Sequence, residues 1–205
     1  LKQMESFHQN DKDPVAYIDV LLKRMEFVRS MINLQNRDSV YLKTLTQLEA
    51  DYADLPVSAD IIEKIAAFWY TENIPSNLKS SVLEQNEPGK NYVIARQWCL
   101  KAIEKYPESD GAKNCRMILN DIEEPSVSFI VDQQQIADKS FPVLLNFRNT
   151  KTIWFRLLKP DYDSNTGFRQ EVYSERGMEK YLEMKPVKSW SLTLPPTSDY
   201  LTHSV

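Results

Sequence analysis

Glycine is scarce in this chain, four in 205 residues, and cysteine and histidine number only two each. So few glycines leave no phosphate-cradling loop, and neither a Gly-x-Ser-x-Gly elbow nor a His-Glu-x-x-His pair is present. Two cysteines, with His8 and His203 far away in sequence, do not make a zinc site, so no metal is expected. No uninterrupted apolar run reaches the length of a membrane span. A basic excess is missing too. Net charge is −4, with 15 basic and 20 acidic groups in residues 1–124 and 10 and 9 in residues 125–205. That balance cannot neutralise a phosphate backbone, which argues against nucleic acid as a partner and weakens docking on anionic lipid. Carboxylates are plentiful, but nothing in the sequence gathers two of them in a pocket. The expectation is a non-enzyme with no catalytic, cofactor-binding or metal-binding residue.

What is present begins with Ala95–Pro125, ARQWCLKAIEKYPESDGAKNCRMILNDIEEP, which reads as two short helices folded back on each other. Ala95, Trp98, Cys99, Ala102, Ile103 and Tyr106 recur every three or four residues, as do Ala112, Cys115, Ile118, Leu119 and Ile122. Pro107 drives Tyr106 out of helical dihedrals, and Ser109 is placed to cap the second helix. Gly111 and Ala112 would let the backbones approach closely. Cys99 and Cys115 then lie on facing helices, at similar distances from the turn. Packed helix axes lie about 8–10 Å apart whereas a disulfide wants Cα atoms within roughly 7 Å, so a bridge would demand close approach. Buried reduced thiols are the expected state, with a disulfide as the alternative.

Upstream, Leu1–Lys12 is polar and expected to fray. Asp13-Pro14 starts a helix with an apolar stripe of Ile18, Leu21, Leu22, Met25, Val28 and Ile32. Asp38 or Ser39 would cap a second helix that buries Tyr41, Leu45, Leu48 and Tyr52. Pro56 closes it. Ser58 opens a third helix, with Ile61, Ile62, Ile65, Ala66 and Trp69 inward. Trp98, Trp69, Phe68 and Tyr52 are expected in the core. Residues 71–91 read as a polar connection with a turn of helix near Leu78–Leu83. Ala-x-x-Trp-x-x-x-Ala-Ile-x-x-Tyr-Pro echoes a tetratricopeptide-like repeat.

Beyond Pro125 alternation replaces helical periodicity. Strands are expected at Val127–Val131, Val143–Arg148, Ile153–Leu158, Gln170–Tyr173, Lys180–Met184, Val187–Leu194 and Tyr200–Val205. Val143, Leu145 and Phe147 oppose Asn146 and Arg148; Ile153, Phe155 and Leu157 oppose Trp154 and Arg156. Asn149-Thr150 would join these two strands as a β-hairpin feeding a two-sheet sandwich. Trp154 beside Arg156, and Trp190 with its own neighbours, would form an interaction surface or a seat for another domain. A sandwich takes about 100 residues. Only 81 run from Pro125 to the end, and the last of these read as a strand, so the β domain is expected to be incomplete and to leave an unpaired edge that supports a dimer. Leu at position one likewise reads as a trimmed piece. Asp161-x-Asp163-x-Asn165-x-Gly167 resembles the opening of a calcium loop, but Thr166 stands where Gly is required and Val172 where the bidentate Glu belongs. A polar turn is the expected use of those residues. The fold class is therefore α+β, with an antiparallel helical domain at 1–124 and a partial β-sandwich at 125–205.

YPESDGAKNCRMILNDIEEP, PVLLNFRNTKTIWFRLLK and PVKSWSLTLPPTSDYLTHSV, in that order, resemble the amino-terminal region of the large bacterial alpha-2-macroglobulin-like proteins, notably those of Bacteroidetes. The resemblance runs from about Tyr17 to Val205. It implies a tetratricopeptide-like helical segment before a first macroglobulin β-sandwich, in a periplasmic or surface-anchored lipoprotein that entraps proteases through a bait segment and often a Cys-x-Glu-Gln thioester. Val82-Leu83-Glu84-Gln85 has Val where the reactive Cys would stand, and Leu-Lys and Arg-Met follow Cys99 and Cys115. By the resemblance, this chain is a scaffold that presents the trap. The rival expectation is a stand-alone envelope module whose concave helical face grips a peptide or glycan.

Overall fold

A computed structural model of the chain describes residues 1–71, 90–132, 134, 139–159, 179 and 181–205. The class is α+β, helices first and small antiparallel sheets after. The expected helical turn at 78–83, the strand at 170–173, the Asp161–Gly167 loop and Val82–Gln85 all lie outside the described residues. By contacts the chain forms two compact units, Leu1–Asn149 with Thr197–Val205, and Thr150–Pro196. The change from helix to strand falls at Pro125, as its ring requires, but the first sheet belongs to the same compact unit as the helices.

In the first unit the polar start does not fray. It forms α1 (Lys2–His8), because Glu5 finds Arg24 on α2 (Val15–Met31). At the start of α2 the Asp13 carboxylate accepts the Val15 N–H at 3.1 Å. Ile18 and Leu22 are buried on its inner side. The third helix, α3 (Arg37–Asp51), starts earlier than Asp38 or Ser39 would have set it. Asp38 is no cap there, because Arg29 Nε lies 2.7 Å from its carboxylate and holds it inside the first turn.

The central helix is α4 (Ser58–Thr71), apolar on two sides. Ile61, Ile65, Phe68 and Trp69 join Ile18, Leu22, Tyr41, Leu42 and Leu45 in one cluster. Ala59, Ile62 and Ala66 join Cys99, Ala102 and Cys115 in another. Ile61, Ile62 and Ile65 have no exposed surface, and each such burial contributes about 1.5–3 kcal/mol. The expected helical hairpin is α5 (Lys90–Lys105) and α6 (Asp110–Glu123). Ser109 caps α6 as its position suggested, accepting the Ala112 N–H at 3.2 Å. Gly111, expected to bring the two backbones of the hairpin together, lies instead against the backbone of α4: a Cβ there would sit 2.3 Å from both C and O of Ala59.

Three strands complete this unit, in the order β1 (Ser126–Ile130), β2 (Leu144–Arg148), β5 (His203–Ser204), all antiparallel. Leu145 and Phe147 are buried on one face of β2, and Val127 and Phe129 stand opposite them on β1. Leu145 and Val205 exchange backbone hydrogen bonds at 2.8 and 2.9 Å, which ties the carboxyl end to the centre of the sheet.

The second unit holds β3 (Thr152–Leu157) and β4 (Lys188–Thr193), paired antiparallel with Phe155 opposite Trp190. The expected β2–β3 hairpin does not form; the two strands belong to different sheets. Asn149, at φ 52°, turns the chain between them, and its side chain is taken up by α6 instead of closing a hairpin turn. The expected strand at 180–184 is also corrected, since Tyr181–Glu183 is helical. Leu, Glu and Met are good helix formers, and that stretch has no β-branched residue.

Candidate functional site

A concave surface of the first unit lies along α2, α3 and α4, on the two sides of Arg29 and Tyr41. The guanidinium carbon of Arg29 sits 5.0 Å from the Tyr41 ring centre and 4.9 Å from that of Phe68. This cation–π stack, with the Asp38 pair beside it, divides two hollows. The first has a volume of about 400 Å³ and includes Glu26, Arg29, Tyr41, Lys64, Phe68 and Thr71 in its lining. Its charges are matched: Lys64 Nζ is 3.0 Å from Glu26 and 3.3 Å from Glu63. Burial would lower Lys64, but Glu63 and Glu26 outweigh it and hold the ammonium above its usual range. Burial raises Glu63 against the pull of Lys64, and burial followed by the nearby Glu26 pushes Tyr41 up to about 12. The hydroxyls at the rim already serve the backbone, Ser30 donating to Phe27 O and Thr71 to Ala67 O, each at 2.7 Å.

The second hollow, about 280 Å³, is an apolar groove with Met25, Val28, Ile32, Leu34 and Val40 on its walls. Arg24, Arg29 and Arg37 stand at its edge. Val28 and Ile32 were expected inside and are instead partly exposed at this groove, while Leu34 and Val40 are well exposed. Arg29, Glu63 and Lys64 did not stand out in the sequence, and Asp38 did so only as a helix cap. They come from three helices, and only the fold brings them together.

Of the aromatic residues read from the sequence, Phe68 and Trp69 are core, and Tyr52 and Trp98 pack partly buried against it. Trp154 is 77% exposed and shares the outer face of β3 with Arg156, as alternation predicts. Arg156 is committed to structure: it donates to the carbonyls of Leu182 and Met184 at 2.8 and 2.7 Å. Trp190 lies on the opposite face, stacked on Phe155 with ring centres 5.1 Å apart. Glu123, at the end of α6, accepts from Arg96 Nε at 2.6 Å. Cys99 and Cys115 are free, buried thiols. Among the described residues no group of three His, Cys, Asp or Glu side chains is placed to hold a metal ion, and no helix is long and apolar enough to cross a membrane.

Comparison with protein-family models, with curated proteins and with solved structures gives no match to this chain.

Proposed function

We propose that this chain is a non-catalytic scaffold and interaction segment of an alpha-2-macroglobulin-like protease inhibitor of the cell envelope. The observation that carries this reading is the joint at Pro125. Arg148 and Asn149, at the end of β2, donate to the carbonyls of Asp121, Ile122 and Glu124, which ties the first sheet to the end of α6. A helical base with a β layer tied to its end suits a presenter of neighbouring domains. Among the described residues β3 and β4 form a two-stranded ribbon, which fits the same picture, since such a ribbon alone is marginal in water and calls for further strands or packing. Endopeptidase inhibition then belongs to the whole protein, and its protease is a partner only through the whole.

The α2–α3 groove favours a second reading, a stand-alone envelope module that takes an extended peptide, with apolar side chains on Val28, Ile32 and Val40. Sequencing the gene beyond the codon for Val205 separates the two. Many further β domains support the inhibitor scaffold; a stop codon within a few residues overturns it in favour of the module.

A further inference from the structure

Cys99 and Cys115 sit in one buried cluster with Ala59, Ile62, Ala66 and Ala102, neither has exposed surface, and the Cys99 side chain adjoins the Cys115 thiol. Every buried residue of α5 is small, Ala95, Cys99 and Ala102, and α6 offers buried Ala112 and Cys115, while Gly111 faces α4. Helices that meet through such side chains pack at the near end of the usual range of axis separations. The axis separation also overstates the distance that matters. Cα atoms ride on a cylinder of radius about 2.3 Å, so facing Cα atoms on axes about 8–10 Å apart are themselves only about 3–5 Å apart, and somewhat more when offset. That interval overlaps the roughly 4.4–6.8 Å a disulfide requires. Close approach, which the sequence alone made a demand, is eased by these small residues.

We propose that Cys99 and Cys115 are a disulfide-forming pair, closed when the chain folds in the presence of a disulfide-bearing oxidant such as oxidised glutathione. One cysteine thiolate attacks a sulfur of the oxidant and expels a first glutathione thiolate. Its partner then attacks the mixed disulfide and expels the second. In sum two S–H bonds give one S–S bond, and two protons and two electrons leave on the oxidant as two thiols. In the closed hairpin the exchange is suppressed. The hydrogen bond with Cys99 and burial together push the Cys115 thiol far up, and no oxidant reaches a side chain with no exposed surface. The bond therefore forms during folding or on opening of α5 from α6, and the finished hairpin protects it. This inference does not depend on the inhibitor reading.

The test unfolds the reduced chain in urea and refolds it with oxidised glutathione. Intact mass, thiol titration and peptide mapping follow. The expected product is a monomer about 2 Da lighter with no free thiol and a peptide linking the two cysteines. It should melt about 5–10 °C above the reduced chain, since the bond closes a short loop in a domain of this size. Cys99→Ser and Cys115→Ser, treated alike, should carry a single glutathione and show no such rise. Retention of both thiols by the wild-type chain, glutathione left on either cysteine, or an internal bond that leaves the melting temperature unchanged or lower would each overturn the proposal.

Discussion

The side-chain nitrogen of Asn149 lies 2.7 Å from the carbonyl oxygen of Ile122, and 3.3 Å from that of Glu124. A helix leaves its last four carbonyls without partners. Here a residue 25 positions or more away in sequence satisfies two near the end of α6, and it does so from a left-handed backbone at φ 52°. Asn tolerates that conformation better than most residues. Asn149→Gly keeps the backbone free and removes only the donor, and should cost about 1–2 kcal/mol in urea unfolding. Asn149→Ala adds the strain of a Cβ at positive φ and should cost about 1 kcal/mol more. Equal losses for the two variants would show that the backbone conformation carries no weight.

Gly111 gives a prediction whose sign opposes intrinsic propensity. In an exposed helix, Gly→Ala gains about 1 kcal/mol. At 111 the new methyl would fall 2.3 Å from the backbone of Ala59, where no side chain can swing aside. Gly111→Ala should therefore destabilise by roughly 1–3 kcal/mol as α6 is levered off α4. A melting temperature at or above that of the wild type would mean that the two helices are not in backbone contact.

Tyr41 makes stability depend on alkaline pH. Burial, then the Glu26 charge, raises its pKa from 10 to about 12. A group whose folded pKa lies above the unfolded one contributes fully below the unfolded value, and that contribution is lost as pH rises through the folded one. The window is therefore pH 10 to about 12. The loss attributable to Tyr41 is on the order of 2–3 kcal/mol. Tyr41→Phe cannot ionise, so the difference in stability between it and the wild type should move in favour of Phe across that window, the other tyrosines and lysines cancelling. A constant difference would sink the assignment.

Helices α2 to α6 were legible in the sequence because their apolar residues recur every three or four positions beside a recognisable start or stop, as at Asp13-Pro14, Ser58 and Ser109. The strands were legible as segments for the same kind of reason, yet their pairing was not. Asn149-Thr150 carries good hairpin chemistry, but Asn149 has a stronger use 27 residues back, on Ile122 O, and local turn rules do not see it. Arg29 escaped notice because a lone basic residue on a helix is usually solvated. Its stacking on Tyr41 and Phe68 exists only once α2, α3 and α4 are packed. Glu5 hid α1 likewise, its partner Arg24 lying 19 residues on.

The outer edge of β1 leads to the last prediction. Among the described residues β1 ends its sheet, and all five of its residues are exposed, Val127 at 46% and Phe129 at 67%. The strand Ser-Val-Ser-Phe-Ile has no charge, proline or glycine to discourage pairing. It is also self-complementary. Laid antiparallel on a second copy about Ser128, it sets Val127 against Phe129 of the other chain, twice, on the face that carries Leu145 and Phe147. A second copy of this chain would fit the unpaired edge expected from sequence. Sedimentation at rising concentration should show a monomer–dimer equilibrium. Ser128→Lys would place two ammonium groups opposite each other on the dyad and return the chain to monomer, with little effect on its melting because Ser128 is exposed and points away from Leu145 and Phe147. A wild-type chain that stays monomeric at every concentration, or a lysine variant that associates equally well, would rule this edge out as the contact.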